Sequence, residues 1–172
     1  MKRESNEIKK ENDRAASFMR FCEVVRHLRA EDGCPWDRVQ THTSLKPYCI
    51  EEAAEVIGGI NIWEATGDAE NLKEELGDLM LQILLHAQIA EEEGLFTVRE
   101  VMDGASEKMI RRHPHVFGKS MLSEQGEPVT DWDAIKKQEK AGKEWTEAYF
   151  PGALEEAGKL LERAKERKGI KK

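Results

Sequence analysis

The sequence has few of the features that mark secreted, zinc-binding or membrane proteins. Its three cysteines form no C-x-x-C pair, and their odd number argues against both a disulfide framework and a zinc knuckle. The longest apolar run, LMLQILLHAQIA, is short and is interrupted by two glutamines and a histidine. The opening residues MKRESNEIKKENDR lack the apolar stretch of a signal peptide. We therefore expect a cytoplasmic protein without a membrane segment.

Positive charge and strand-like patterns are also scarce. The 27 basic residues are outnumbered by 34 acidic ones, and the net charge of -7 would repel a phosphate backbone, which argues against a nucleic-acid partner. No segment alternates polar and apolar residues as a half-buried strand does. Alanine, glutamate, lysine, leucine and arginine instead fill long stretches, and aromatic residues make up only 6% of the chain. The composition therefore predicts an all-α fold.

The 172 residues suffice for one domain with a sizeable core. We divide the chain into a charged, flexible lead at residues 1–17, a helical domain at 18–140 and a linker-like helical tail at 141–172. The domain is expected to be a bundle of about four to five helices.

A first helix that ends near Ala30 is predicted by apolar residues at steps of three and four. These residues are Phe18, Phe21, Cys22, Val25 and Leu28. The segment EDGCPWDRVQTHT that follows contains Gly33 and Pro35, and we predict an irregular loop that carries Trp36 and Gln40.

Two further helices are predicted to be antiparallel neighbours, because only a short turn separates them. Ser44 is expected to cap the first of these, with Pro47 in its opening turn and its end near Ala65. Asp68 is expected to cap the second, which reaches Glu93. The predicted apolar stripe of this second helix consists of Leu72, Leu76, Leu79, Ile83, Ala87 and Ala90.

The remaining signals lie in the C-terminal half. Thr97 begins a predicted capping box, TVRE, for a helix that must end before Pro114. Residues 119–130 are predicted to form a loop, after which Asp131 caps a short helix. The proline–glycine pair that begins at Pro151 is expected to break the chain.

Carboxylates recur inside two of these helices, in the motifs EEAAE and EELGD. Glu52 and Glu55 share one helical face, and so do Glu75 and Asp78. Because unpaired like charges near a core are costly, the four residues predict a site for a hard divalent cation that recruits phosphate oxygens. In the alternative interpretation all four are solvated. We place Glu51 outward or behind the ligands.

Cationic and aromatic residues suggest how a phosphorylated substrate is held. Lys108 and Arg112 share one face near the end of the helix that Thr97 begins. They either neutralise the β and γ phosphates or complement the helix dipole. Trp36 and Trp132 either stack on a base or serve packing alone.

Five motifs in a fixed order resemble the MazG family of nucleoside triphosphate pyrophosphohydrolases. They are GCPWDRVQTHTSL, EEAAE, EELGDLMLQ, KMIRRHPHVFG and DWDAIKKQEK, and the resemblance covers about residues 18–140. The resemblance implies an all-α enzyme, a homodimer or higher homo-oligomer, that removes unwanted nucleotides. It would hydrolyse (d)NTPs between the α and β phosphates to a (d)NMP and pyrophosphate with Mg²⁺, or with Mn²⁺ as the alternative metal.

The resemblance also implies roles for individual residues, carried over by motif position. The metal ligands would be Glu52, Glu55, Glu75 and Asp78. One of these carboxylates, or Glu51 beside them, would accept the proton of the attacking water. The substrate contacts would be Lys108, Arg112 and Trp132, together with Trp36 and Gln40 in the loop.

Two rival interpretations stay open. The same fold and metal site could serve one dedicated substrate, such as dUTP, dCTP or phosphoribosyl-ATP. The segment between Glu55 and Glu75 keeps this open, because it contains Gly58 and Gly59 and is longer than the family pattern by about one helical turn. Alternatively, the chain is a non-enzymatic helical protein that oligomerises or binds a partner.

Overall fold

The chain is almost entirely helical in its computed structural model. The structure describes residues 2–118, 121–122, 128–129 and 131–170, with side chains described over 13–118 and 131–170. In this part of the chain there are eight α-helices, one 3₁₀ helix and one pair of two-residue strands. Two compact units are present, Met1–Leu95 and Phe96–Lys172. The predicted all-α class is confirmed, whereas the division at residues 17 and 140 stays a prediction.

The first unit contains four helices in its described residues. They are α1 (Lys2–Arg29), the single turn α2 (Pro35–Arg38), α3 (His42–Thr66) and α4 (Glu70–Glu92). Helix α1 begins at Lys2, so the segment predicted to be a flexible lead is helical from that residue onward. The turn α2 lies inside the segment that was predicted to be an irregular loop. Pro35 begins this turn, and proline is well tolerated in the first turn of a helix.

The apolar side chains of the first unit are buried on α1, α3 and α4. The buried ones are Val25, Leu45, Leu84, Leu85, Ala87, Ile89 and Ala90. The stripe predicted for α4 is wrong at Leu76 and Ile83, which expose 51% and 44% of their surface. The C-terminal half of α4 packs on α1 as well as on α3, so Leu84, Leu85 and Ile89 are buried there instead.

The start of α3 differs from the prediction by three residues. Thr41 is the N-cap, because its Oγ1 accepts from the Ser44 amide at 3.2 Å while the Ser44 hydroxyl accepts from the Thr41 amide at 2.9 Å. Pro47 consequently lies in the second turn of α3 and not in the first. At α4 the N-cap position is Ala69, but the Asp68 carboxylate accepts from the Glu70 amide as a cap would.

Two glycines allow α3 and α4 to pack closely after a short turn. Gly67 ends α3 in the left-handed conformation, with φ of 77°, which favours glycine. At Gly59 an added Cβ would lie 2.8 Å from the Cα of Leu72, so the α4 backbone approaches α3 at a distance that only glycine permits. The motifs EEAAE and EELGD are thereby placed on two adjacent helices.

The second unit contains the remaining elements. They are α5 (Val98–Arg112), α6 (Pro114–Phe117), β1 (Met121–Leu122), β2 (Pro128–Val129), α7 (Trp132–Lys140), a 3₁₀ helix (Glu144–Tyr149) and α8 (Phe150–Arg167). Thr97 and Asp131 cap α5 and α7, as predicted. None of the helices in the described part of the chain is both long and apolar enough to cross a membrane.

Two predictions for this unit are corrected or limited. Within the predicted loop 119–130, β1 pairs with β2 in antiparallel register, and the other residues of that loop lie outside the described residues. Pro151 does not break the chain. It lies in the first turn of α8, where a backbone N–H has no hydrogen-bond acceptor within the helix. Proline, which lacks this N–H, is therefore tolerated there.

Candidate active site

Three carboxylates from α3 and α4 converge in the first unit, and we call them the acidic group. Glu52, Glu75 and Asp78 each place one oxygen within 4.8 Å of the others. Glu52 and Glu75 are half-buried, whereas Asp78 is exposed. Asn71, one turn before Glu75 on α4, donates from Nδ2 to Glu75 Oε1 at 2.9 Å and so orients that carboxylate. The fold thus brings together three of the four residues expected to bind a metal.

Glu55 and Glu51 have other surroundings. Glu55 is half-buried on α3 and is not one of the three converging residues, so its role as a ligand stays a prediction. Glu51 is only 7% exposed, so of the two positions expected for it the outward one is wrong, and the position behind the ligands stays a prediction.

The geometry of the acidic group fits a hard divalent cation. An octahedral Mg²⁺ ion binds oxygens at about 2.0–2.1 Å, which places neighbouring ligand oxygens about 3 Å apart and opposite ones about 4 Å apart. Oxygens within 4.8 Å of one another reach these separations through small side-chain rotations. All three donors are carboxylate oxygens, the ligands that Mg²⁺ prefers, and water can complete the coordination.

The loop before α3 is held in place by Arg29. Its Nη1 donates to the carbonyl oxygens of Asp37 at 2.6 Å and Gln40 at 3.1 Å. The Gln40 side chain is also engaged, because its Nε2 donates to the Trp36 carbonyl at 2.9 Å and its Oε1 accepts from the Ser44 hydroxyl at 2.7 Å. The Trp36 ring is half exposed. Substrate contact by Trp36 and Gln40 stays a prediction.

Charged and aromatic side chains from α5 and α7 meet in the second unit, and we call them the Arg–Glu–Trp cluster. The cluster consists of Arg111, Arg112, Trp132 and Glu139. The guanidinium carbon of Arg112 lies 5.4 Å from the centroid of the Trp132 ring, a cation–π contact. Both arginines donate to the Glu139 carboxylate. Lys108 is exposed on α5 and forms no ion pair with any acid in the described part of the chain.

Sequence reasoning did not single out Asn71 or Glu139. Asn71 lies four residues before Glu75, and this spacing places both on one face of α4. Glu139 lies seven residues after Trp132, so the two also share a helical face. Both spacings can be read from the sequence, but the role of Glu139 depends on its contacts with arginines of another helix.

Comparison with known proteins identifies the region that contains the acidic group. The model of the MazG nucleotide pyrophosphohydrolase domain matches residues 40–117. This range contains the motifs EEAAE and EELGD as well as Lys108 and Arg112. Trp36 and Trp132 lie outside it.

Several curated bacterial proteins are similar to the chain. It is 49% identical over 126 residues to the nucleoside triphosphate pyrophosphohydrolase/pyrophosphatase MazG of Thermotoga maritima and 41% identical over 125 residues to the nucleoside triphosphate pyrophosphohydrolase of Escherichia coli K12. These alignments cover 73% and 72% of this chain, and 46% of each relative. It is also 47% identical over 133 residues to the uncharacterized protein YabN of Bacillus subtilis, covering 77% of this chain and 26% of YabN.

The chain therefore spans less than half the length of each of these three relatives. The matched region coincides with the helices that carry the acidic group and with α5. On these grounds residues 40–117 are identified as a region that matches the MazG nucleotide pyrophosphohydrolase domain.

Proposed function

We propose that the chain hydrolyses nucleoside triphosphates between the α and β phosphates and releases a monophosphate and pyrophosphate. The observation that carries this proposal is the convergence of Glu52, Glu75 and Asp78 inside a region that matches the MazG domain. Two of the similar proteins are named as nucleoside triphosphate pyrophosphohydrolases, which supports the same chemistry here. The role that we propose is the removal of unwanted nucleotides from the cellular pool.

We further propose Mg²⁺ as the metal, with Mn²⁺ as the alternative. Glu52, Glu75 and Asp78 would hold it, with Glu55 as a fourth ligand because it follows Glu52 by one turn on the same face of α3. When bound, such an ion neutralises phosphate oxygens and lowers the pKa of a coordinated water. The acids themselves hold the site open for it, since repulsion keeps their oxygens from closing on one another.

The carboxylates of the chain also provide the proton acceptor. In the proposed reaction a water attacks the α phosphorus, the bond to the bridging oxygen breaks, and pyrophosphate leaves. The proton of the water passes to a carboxylate of the acidic group or to Glu51, which is buried beside Glu52 on α3. We keep Lys108, Arg112 and Trp132 as the proposed substrate contacts, with Trp36 and Gln40 in the loop.

Product analysis tests the reaction. The purified chain is incubated with an NTP and Mg²⁺ in ¹⁸O-labelled water, with an EDTA sample as the control. We expect pyrophosphate and a monophosphate that carries the label, because the attacked atom is the α phosphorus. Diphosphate with orthophosphate would mean attack at the γ phosphorus, and a label in pyrophosphate would mean attack at the β phosphorus. Either result contradicts the proposal.

A substrate panel separates broad from dedicated activity. We propose that several ribo- and deoxyribonucleoside triphosphates are hydrolysed with comparable kcat/KM. The panel consists of the common NTPs and dNTPs together with dUTP and phosphoribosyl-ATP. A preference of more than about 1000-fold, roughly 4 kcal/mol, for one compound would favour a dedicated enzyme instead.

We also propose that the working unit is a homodimer or higher homo-oligomer. Both α3 and α4 carry apolar side chains that are exposed in the single chain. They are Ile57, Ile60 and Trp63 on α3, and Leu76, Met80 and Ile83 on α4. Contiguous apolar surface on a helix pair is typical of an interface. Light scattering at micromolar concentration tests this proposal, and a fully active monomer would contradict it.

The second candidate function, a non-enzymatic helical protein, draws on the same exposed apolar residues. Such a protein would oligomerise or bind a partner without turnover. Release of pyrophosphate that stops on addition of EDTA separates the two functions. We keep a cytoplasmic location as a proposal, supported by three cysteines that are all free thiols.

A further inference from the structure

The carboxylate of Glu139 is divided between two arginines. Its Oε1 accepts from Arg111 Nε at 3.3 Å and Nη2 at 3.1 Å. Its Oε2 accepts from Arg112 Nε at 2.8 Å and lies 2.7 Å from Arg112 Nη2. In both cases the Nε–Nη2 edge of the guanidinium faces the carboxylate. Within the described residues, the Nη1 end of Arg112 meets no acceptor, so that end of the fork can bind an anion.

The Arg–Glu–Trp cluster also carries an excess of positive charge beside a poorly exposed carboxylate. The side chains of Glu139 and Arg112 are only 13% and 18% exposed. One arginine would neutralise the carboxylate, and the second leaves a net charge of +1 on the two arginines and Glu139 (two cations, one anion). The Arg111 side chain is 42% exposed, so water solvates part of this excess charge. An anion at the Nη1 end of Arg112 would balance it.

The arginines keep Glu139 ionised. Desolvation is the largest influence and raises the pKa of Glu139, but hydrogen bonds and charge attraction from Arg112 and Arg111 together outweigh it and hold the pKa below its ordinary value. The carboxylate consequently keeps its charge at neutral pH. A rotation of Arg112 away from Trp132 would break a charge-assisted hydrogen bond and a cation–π contact together.

We propose that Glu139 is a positioning residue that fixes the phosphate-binding end of Arg112. The inference rests on the function proposed above, in which Arg112 contacts the nucleotide. Glu139 holds one edge of the guanidinium and Trp132 supports its face, so the Nη1 end is ordered before a triphosphate binds. Binding then loses less side-chain entropy, which favours affinity.

A binding experiment tests this without relying on turnover. The probe is a nucleoside triphosphate with an imido bridge between the α and β phosphorus atoms, titrated by calorimetry in the presence of Mg²⁺. The variants are Glu139→Gln, Arg112→Ala and the double variant, with Glu139→Asp as a charge-conserving change. The matched control is Glu147→Gln, which removes an exposed acid paired with Lys140 in the same unit.

We expect Glu139→Gln to raise the Kd of the probe by about tenfold. The reason is that Arg112 loses the charge-assisted contact with Glu139 that orders it for phosphate binding. In the Arg112→Ala background the same change should alter Kd by less than about twofold, because Glu139 acts through Arg112. Glu139→Asp keeps the charge but shortens the reach, and we expect an intermediate loss that also disappears without Arg112. Glu147→Gln should leave Kd unchanged.

Three results would overturn the inference. Equal losses with and without Arg112 would mean that Glu139 acts on folding or on another group. Tighter binding by Glu139→Gln would mean that the acid competes with phosphate for the arginine. Failure of the wild-type chain to bind the probe would mean that Arg112 is not positioned for a nucleoside triphosphate. If the wild type binds the probe but releases no pyrophosphate from NTPs, the proposed function fails, while the Kd series still decides the role of Glu139.

Discussion

The two units assemble charge in opposite ways. In the first unit, the acidic group places three carboxylate oxygens within 4.8 Å of one another, all of the same sign. In the second unit, the Arg–Glu–Trp cluster gives each oxygen of Glu139 a guanidinium nitrogen at 3.1 Å or closer. The acidic group joins two consecutive helices, α3 and α4, whereas the cluster joins α5 and α7, which other elements separate. They differ in that the acidic group brings like charges together, whereas the cluster pairs opposite charges and keeps an excess of one positive charge.

This difference sets how stability and activity are related in each unit. Two like charges about 5 Å apart repel by roughly 3 kcal/mol at an effective dielectric constant of about 20, and relaxation leaves about 1 kcal/mol per pair. Repulsion among these carboxylates therefore opposes folding, and a bound cation would relieve it. The Arg–Glu–Trp cluster supports folding by itself and lacks only an anion for its extra charge. Removal of one carboxylate should consequently have opposite effects in the two units.

The largest expected effect is that of Glu75→Gln, which removes one charge from the acidic group. We expect at least about a 100-fold loss of pyrophosphate release, because a metal ligand is lost. We also expect the melting temperature in EDTA to rise by about 2–4 °C, since about 1 kcal/mol of repulsion is removed. Mg²⁺ should stabilise the wild type more than the variant, because a ligand stabilises only the state that binds it.

The comparison between the units supplies the control for Glu75→Gln. Glu139→Gln, melted in the same buffers, should lower the melting temperature because its carboxylate faces two cations. If Glu75→Gln melts below the wild type in EDTA and gains equally from Mg²⁺, the acidic group is an ordinary structural feature. The proposed metal site then loses its physical basis.

Arg29→Met tests whether paired opposite charges also support folding when they lie in the first unit. If they do, the effect on stability depends on the signs of the charges and not on the unit. Arg29 is only 6% exposed, and its Nη2 lies 2.7 Å from the Glu92 carboxylate, while its Nη1 donates to the loop carbonyls of Asp37 and Gln40. Removing the guanidinium takes a charged donor away from each of these acceptors. We expect a loss of about 3 kcal/mol in the free energy of unfolding, measured by urea denaturation.

The matched control for this variant is Arg26→Met. Arg26 pairs with Glu23 on the exposed surface of the same helix, and such a pair contributes little. We expect its free energy of unfolding to stay within about 0.5 kcal/mol of the wild type. Equal losses in the two variants would show that the buried contacts of Arg29 with the loop add nothing to stability.

The features that depend on neighbours in the sequence were predictable. Thr97 and Asp131 were correctly identified as caps, because an N-cap is a local pattern of a small polar residue before a helix. The start of α3 was missed by three residues, since Thr41 and Ser44 both have side chains that can cap. Pro151 was misjudged because proline both breaks helices and begins them.

The features that depend on packing were predictable only in part. The convergence of Glu52 with Glu75 and Asp78 followed from one short turn between two helices, and the structure brings these three together. The burial of Glu51 depends on which side of α3 packs on α4, and the periodicity of the sequence does not specify it. Glu139 could not be assigned a role, because its partners lie on another helix.

Gly59→Ala tests the close packing that brings the acidic motifs together. The new methyl group would lie 2.8 Å from Leu72 Cα and 3.0 Å from its nitrogen, and this backbone cannot move cheaply. Strain of about 1–3 kcal/mol should outweigh the gain of about 1 kcal/mol from helix propensity. The control Gly58→Ala meets nothing within 4 Å and should be stabilising by about 0.5–1 kcal/mol. Thermal melts decide this, and equal effects would contradict close packing at Gly59.

Two histidines lie between α3 and α4, the helices that carry the acidic group, and can place positive charge there. The Nδ1 atoms of His42 on α3 and His86 on α4 lie 2.8 Å apart, and the rings are nearly parallel, with an angle of 2° between their planes. One Nδ1–H must donate to the lone pair of the other, so the hydrogen bond requires at least one neutral ring. The Glu93 carboxylate lies 4.0 Å from His42 Nε2. A second proton would create a like-charge pair.

The smallest expected effect is a loss of stability in mild acid. Burial of the ring, followed by the charge of His42, lowers the pKa of His86 below its ordinary value, so the unfolded chain binds protons that the folded chain excludes. Stability is therefore fully present above about pH 6.5 and falls as the pH drops through the folded pKa. We expect the melting temperature to decrease from pH 7.5 to 5.5, and His86→Gln to reduce that decrease. The exposed His115, replaced by Gln, is the control. An identical decrease in all three proteins would mean that the histidine pair is protonated without cost.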